Sequence, residues 1–165
     1  MSRAYVGLGS NLGDRERHIR AALDQLGAIQ GTEVRRASSL YDSAAEGDPD
    51  SPPFLNAVAL LDTDRPPRQL LWHLLLIEAR LGRERRRRYG PRPIDLDLLL
   101  YDRKVINEPD LVLPHPRLLE RPFVLVPLEE IDPDVVHPVT GQTVRQALRE
   151  RKCAGEVRWL GRLWQ

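Results

Sequence analysis

Arg88-Tyr-Gly-Pro-Arg92-Pro-Ile-Asp95-Leu-Asp97-Leu-Leu-Leu-Tyr101 reads as a loop feeding a strand with two unlike faces. Ile94, Leu96, Leu98 and Leu100 recur at every second residue, which in an extended chain puts them on one face and leaves Asp95 and Asp97 on the other. At a strand rise of about 3.3 Å per residue the two carboxylates stand roughly 7 Å apart, close enough to share or bracket hard cations. A polar strand face is ordinary in antiparallel sheets. The approach to this one is not ordinary: Arg80, Arg83, Arg85, Arg86, Arg87, Arg88 and Arg92 fall within thirteen residues, opposed only by Glu84. Guanidinium groups grip phosphate oxygens in a bidentate fork, so the pattern predicts a polyphosphate held between magnesium and arginine. A solvated charged surface is the competing reading of the run, and it weakens toward the arginines nearest the strand.

Working outward, Arg3 to Leu8 reads as a first strand, followed by a turn at Gly9-Ser-Asn-Leu-Gly-Asp14 and a helix from Arg15 to Leu26, with Asp14 as its N-cap and Ile19, Ala22, Leu23 and Leu26 on its apolar face. Glu33 to Tyr41 reads as a second strand and Phe54 to Thr63 as a third, with Leu55, Ala57, Ala59 and Leu61 alternating. The polar stretch from Asp42 to Pro53 is long for a hairpin connection and suits a binding loop or lid. A second helix is expected from Pro67 to Leu81, with an apolar face of Leu70, Leu71, Leu74, Leu75, Ile77 and Leu81 and a stop at Gly82. Beyond the D-x-D strand come a short strand or hairpin near Lys104 to Asn107, a rigid turn at Leu113-Pro-His-Pro-Arg117 and a helix from Phe123 to Ile131 behind Pro122. A last helix from Val144 to Arg151 and a last strand from Val157 to Leu160 complete the pattern. Strands in pairs separated by helices, without strict alternation, predict an α+β fold, ferredoxin-like in outline, with a largely antiparallel sheet flanked by helices.

The 165 residues, 41% of them hydrophobic, suit a single domain spanning 1–165 with its own core. Net charge is only +1, from 25 basic and 24 acidic residues, which argues against a protein that coats nucleic acid. Cys153 is the only cysteine, so no intramolecular disulfide forms and a reducing, cytoplasmic setting fits. The apolar run near the N-terminus is too short for a signal peptide, and no span approaches 18 apolar residues, so no membrane role is expected.

Several residues outside the D-x-D strand are candidates for the site. Gly7-Leu-Gly9-Ser-Asn-Leu-Gly13 does not keep the G-x-G-x-x-G spacing and has no lysine for a Walker loop, so it reads as a tight strand-to-helix turn whose Ser10 and Asn11 could still line a site. Asn56, in an apolar strand, needs partners from backbone, water or the donor and acceptor edge of a heterocycle. Phe54 and Phe123 are the only phenylalanines; each either packs in the core or stacks a flat ring beside a site loop. His115, fenced by Pro114 and Pro116, is held where it could meet phosphate or simply be a satisfied surface histidine.

Taken together in their order, these features resemble the 6-hydroxymethyl-7,8-dihydropterin pyrophosphokinase family of folate biosynthesis. The likeness is carried by Arg88-Tyr-Gly-Pro-Arg92-Pro-Ile-Asp95-Leu-Asp97-Leu-Leu, and also by Ala4-Tyr-Val-Gly-Leu-Gly-Ser-Asn-Leu-Gly-Asp14, Phe54-Leu-Asn-Ala57, Val105-Ile-Asn107, Leu113-Pro-His-Pro-Arg117 and Arg121-Pro-Phe123. The resemblance implies transfer of the terminal diphosphate of ATP to the hydroxymethyl group of the reduced pterin, with release of AMP. It implies that Asp95 and Asp97 bind two magnesium ions (Mg2+), and that Arg83 and Arg92 contact the transferring phosphates. Arg85, Arg88, His115 and Arg121 would bind ATP, while Phe54 and Phe123 sandwich the pterin and Asn56 reads its amide edge. The expected partners are the small molecules ATP and reduced pterin, with no nucleic acid and no membrane. The chain departs from the family's usual run at Tyr41-Asp-Ser-Ala-Ala-Glu-Gly47, and Tyr89 stands where a tryptophan or phenylalanine is common.

Two other classes compete. A polymerase-palm nucleotidyltransferase would need a third carboxylate on a neighbouring strand, and Glu78 falls on a helix. An RNA-binding module on a ferredoxin-like sheet would show aromatic pairs on its central strands, which this chain lacks.

Overall fold

The computed structural model describes residues 1–44, 50, 52–82, 93–151 and 157–163. The elements in chain order are β1 (Ser2–Ser10), α1 (Arg15–Gly27), β2 (Thr32–Ala37), β3 (Leu40–Ser43), β4 (Phe54–Thr63), α2 (Pro67–Arg80), β5 (Asp95–Tyr101), β6 (Ile106–Glu108), β7 (Leu111–Leu113), α3 (Pro122–Ile131), α4 (Val144–Glu150) and β8 (Arg158–Gly161), with a short 3-10 turn at Leu118–Glu120 before α3. The main sheet runs β5-β1-β4-β3-β8, with β2 lying beside β4 ahead of β3, and every pairing is antiparallel. Because β1 and β2 are both neighbours of β4 and not of each other, the first half is a split β-α-β unit, the ferredoxin-like arrangement expected from the element order.

Local chemistry sets the helix ends. The Asp14 carboxylate accepts the Arg17 amide at 3.2 Å, satisfying one of the open donors at the start of α1. Helix α2 opens on Pro67, and Gly82 just beyond it takes φ +90, a backbone conformation that side-chained residues resist. Helix α4 opens with a capping box in which Thr143 and Gln146 satisfy each other's amides.

The predicted second strand is two strands. Ser38 and Ser39 interrupt it because their hydroxyls and amides find partners outside the ladder: Ser38 Oγ accepts the Val58 amide at 2.9 Å, and Ser39 donates from its amide and hydroxyl to the Glu130 carboxylate, each at 2.8 Å. The first strand is longer than expected and runs through Ser10, so Gly9 joins Gly7 as a strand residue and does not begin the turn; Gly13, at φ +69, turns the chain toward α1.

The sheet is covered on both faces. Ala4, Val6 and Leu8 of β1 and Leu55, Ala57, Ala59 and Leu61 of β4 pack with the buried stripes of α1 and α2, while Tyr5, Val58 and Leu60 pack with Val124, Leu125 and Leu128 of α3 and Val144 and Ala147 of α4. Strand β5 contributes to both layers, and here the alternation predicted from sequence breaks. Tyr5 pairs with Leu100 while Val6 pairs with Leu98, so Leu99 is an extra residue, a β-bulge. Leu96 and Leu98 face α1 and α2 as expected, but Leu99 and Leu100 both join the α3 layer. Leu100 therefore lies on the opposite face from its predicted companions. Downstream, Tyr101 returns to the α1 and α2 side, where its hydroxyl donates to the Arg65 carbonyl.

Candidate active site

A cleft of about 510 Å³ opens at one end of the sheet, on the side of α3. Seven residues singled out from sequence line it: Phe54, Asn56, Asp95, Asp97, His115, Arg121 and Phe123. Arg83, Arg85, Arg88 and Arg92 lie outside the described residues, as do Tyr89 and, within the Asp42 to Pro53 loop, residues 45–49 and 51.

Strand register explains how distant stretches meet. Asp95 pairs with Gly9, Gly9 with Asn56, and Asn56 with Tyr41, so these four residues form one row across four strands. Directly opposed residues share a face, and adjacent strands lie about 4.8 Å apart, so Asp95 and Asn56 are separated by roughly 10 Å of floor. Gly9 is that floor. A Cβ built on it would meet Phe54 Cδ1 at 3.3 Å and Asn56 Oδ1 at 3.7 Å. In the next row Asp97 pairs with Gly7, beside which Leu99 packs, 3.6 Å from where a Cβ would stand. The alternating glycines are thus a bare surface between an acidic rim and an amide.

Each wall has its own chemistry. On one side, Asn56 is buried and donates through Nδ2 to Ser43 Oγ at 2.7 Å and to the carbonyls of Phe54 and Tyr41 at 3.3 and 3.4 Å. Its Oδ1 is left toward Gly9 as the acceptor that a ligand's N–H groups would meet. Tyr41 is fixed in turn by its hydroxyl, which donates to Glu130 of α3 at 2.7 Å; burial and then this carboxylate push its phenol well above the ordinary value, so it stays neutral.

On the other side, Asp95 and Asp97 are half-buried at the mouth of the cleft, and Arg121 Nη1 lies 3.8 Å from Asp97 Oδ2. The Arg121 guanidinium also sits over the Phe123 ring, 5.5 Å from its centre, so the start of α3 brings a cation and an aromatic face to the cleft together. His115 is tied at two points. Its amide donates to the Leu99 carbonyl at 2.9 Å, and its Nδ1 accepts the Arg117 amide at 3.1 Å. A neutral ring that accepts at Nδ1 carries its proton on Nε2, which makes the ring a donor on its far edge.

Ser43, Glu78 and Arg117 also line the cleft and were not among the sequence candidates. Glu78 is the most informative of them. It does lie on a helix, as read, but its side chain is only 3% exposed and its carboxylate accepts the Leu96 amide at 2.8 Å, between the two aspartates. Strand β5 is an edge of the main sheet, and Glu78 closes one of its outward donors. The apolar stripe around it hid this role; the signal available was a single carboxylate on the buried face of α2.

The donor set suits magnesium. Among the described residues no group of three metal-ligating side chains exists, so an ion at Asp95 and Asp97 would complete its shell with water and phosphate oxygens, the habit of Mg2+.

Residues 5–133 match the family model described as 7,8-dihydro-6-hydroxymethylpterin-pyrophosphokinase. A 2-amino-4-hydroxy-6-hydroxymethyldihydropteridine pyrophosphokinase of Methylorubrum extorquens is 47% identical, covering 94% of this chain and 97% of the relative. The folic acid synthesis protein fol1 of Pneumocystis carinii is 49% identical over 85% of this chain, which spans only 19% of that longer protein. Among solved structures, wild-type Plasmodium falciparum HPPK-DHPS with pteroate superposes with a TM-score of 0.73 at 14% identity, covering 90% of this chain and 44% of that one, a likeness of fold.

Proposed function

The chain belongs to the 7,8-dihydro-6-hydroxymethylpterin-pyrophosphokinase family, and on that premise we propose how its cleft performs the family's step. The protein transfers a diphosphate from ATP to the hydroxymethyl group of 6-hydroxymethyl-7,8-dihydropterin, a step of folate biosynthesis. The hydroxymethyl oxygen forms a bond to the β-phosphorus, the bond from that phosphorus to the oxygen bridging to the α-phosphate breaks, and AMP departs with that oxygen. The alcohol's proton leaves to solvent.

The observation that carries the assignment is the row Asp95, Gly9, Asn56. It supports a pterin lying over Gly9 between Phe54 and Phe123, with Asn56 Oδ1 accepting from its N–H edge, and a triphosphate running toward the aspartates. Arg121 and the Nε2 edge of His115 then meet phosphate oxygens as negative charge builds on them, which lowers the barrier by placement and fixed positive charge. Arg83 and Arg92 complete the grip on the transferring phosphates, with Arg85 and Arg88 as further contacts to ATP. Asp95 and Asp97 would hold two magnesium ions, whose chemistry is to neutralise polyphosphate charge and acidify the attacking alcohol. No protein base is needed. The aromatic pair excludes water from the acceptor side, which protects ATP from hydrolysis.

We read the chain as one pyrophosphokinase domain at work in the cytoplasm; among the described residues no helix is long and apolar enough to cross a membrane. Purified protein mixed with ATP, the reduced hydroxymethylpterin and Mg2+ should yield AMP and pterin diphosphate in equal amounts, and chelation should stop the reaction. Release of pyrophosphate from ATP, or tight RNA binding without turnover, would reject the assignment.

A further inference from the structure

We propose that Arg15 is a positioning residue for the pterin half of the cleft, acting through Asp42 and Pro53 on the strand ends that carry Ser43 and Phe54. The proposal rests on the pterin reading given above. Arg15 is the first residue of α1 and is not among the described residues that line the cleft. Its Nη1 donates to Asp42 Oδ1 at 3.1 Å and to the Pro53 carbonyl at 2.9 Å, so one guanidinium nitrogen joins the end of β3 to the beginning of β4. Asn11, just ahead of α1, adds a bond from its Nδ2 to the Pro52 carbonyl at 3.1 Å.

The register shows where this bracing acts. Strands β3 and β4 meet through Tyr41 and Asn56, Asp42 and Leu55, and Ser43 and Phe54. Asp42 is the middle rung, and its side chain points to the face of α1, while Ser43, Asn56 and Phe54 line the cleft on the other face. Arg15 therefore pulls from behind on the three-rung ladder whose front presents the pterin contacts. The bond most exposed to its loss is that from Asn56 Nδ2 to Ser43 Oγ, at 2.7 Å, which sets the direction of the amide. Arg158 also reaches Asp42, at 3.2 Å, but its side chain is 75% exposed, against 31% for Arg15, so solvent screens it more strongly. Asp95 and Asp97 belong to β5, two strands away from β4, and His115 and Arg121 are held by other contacts. Arg15 should thus govern pterin binding and leave nucleotide binding alone.

The test compares Arg15→Ala, Arg15→Lys and Arg36→Ala with the parent protein. The last removes a bond to the Ile131 carbonyl at the far end of the sheet and serves as a control for a purely structural loss. For each, the Kd of the reduced pterin is measured in the presence of a nonhydrolysable ATP analogue and Mg2+, and the Kd of the analogue is measured alone. Arg15→Ala should weaken pterin binding about tenfold, the effect of one charge-assisted hydrogen bond no longer holding the geometry. Its analogue affinity should stay within about twofold, Arg15→Lys should recover most of the loss, and Arg36→Ala should lower thermal stability without the selective effect. If Arg15→Ala unfolds, Asp42→Asn, which keeps side-chain size and backbone pairing, provides the same comparison. Equal loss of both affinities, or unchanged pterin binding, overturns the proposal. A parent protein that binds no pterin overturns the functional reading instead.

Discussion

Replacing Gly9 by alanine separates stability from activity. The new methyl would stand 3.3 Å from Phe54 Cδ1 and 3.7 Å from Asn56 Oδ1, tight against a ring that can turn by a few tenths of an ångström. In the free protein that crowding is opposed by a gain of about 0.5–1 kcal/mol, because alanine has less freedom to lose than glycine on joining a strand. The net change in stability should therefore be within about 1 kcal/mol, or roughly 2–4 °C in Tm for a chain of this size. If the pterin lies over Gly9 as proposed, neither neighbour can yield, since Phe54 and Asn56 would both be committed to the ligand. Inserting one carbon into a filled site costs about 1–3 kcal/mol, equivalent to pterin binding weakened roughly 5- to 150-fold. Thermal melts paired with pterin titration in the presence of an ATP analogue read both quantities. Pterin affinity that stays put while the melt is unchanged would refute the placement of the ring over Gly9. A Tm lower by more than about 8 °C would instead show that the glycine serves packing.

Glu78→Ala removes the acceptor for the Leu96 amide and leaves that buried donor unpaired beside a small void, a loss of about 2–4 kcal/mol in guanidinium unfolding, whereas Glu78→Gln keeps an acceptor and should cost less than half as much. Asp97→Ala should cut kcat by about a thousandfold or more, yet change stability by less than about 1 kcal/mol, because relief of the repulsion between neighbouring carboxylates offsets the loss of the long Arg121 contact at 3.8 Å. Near-normal turnover in that variant would remove the metal role. Burial lowers the pKa of His137 below its ordinary 6.5, and its Nδ1 accepts the amides of Val139 and Thr140, both at 3.2 Å. As pH falls through 6.5 the unfolded ring takes up a proton that the folded ring refuses, so stability is full above that pH and declines below it. Melts of His137→Gln across the same range should show a shallower decline.

Much of the fold was legible because period and punctuation agreed. Alternation in β4, the stripe of α1 and the Asp14 cap are each local, and local patterns survive folding when tertiary contacts reinforce them. The site was legible wherever a residue type was out of place: acids on a strand, an amide among Leu55, Ala57 and Val58, a histidine between prolines. Three features needed three dimensions. Nothing in Leu98-Leu-Leu100 marks which leucine is the supernumerary one, since all three are equally apolar and the bulge is set by pairing with Tyr5 and Val6. Gly9 suggested the start of a turn because glycine favours turns, whereas here the absence of a side chain opens a cleft within a regular strand. Glu78 looked like any helix carboxylate until β5 came to rest against it. The arginines from Arg83 to Arg92 lie outside the described residues, so the phosphate role proposed for them rests on their chemistry alone.

The bulge at Leu99 has a consequence for how this strand can be edited. Deleting Leu99 would restore plain alternation without turning Asp95, Asp97 or Tyr101 over, because Leu98 and Leu100 already meet adjacent partners on β1. What such a deletion removes is the carbonyl to which the His115 amide is moored. The supernumerary leucine thus works as a cleat: the acidic rim could outlive its excision, while the His115 imidazole would drift from its berth.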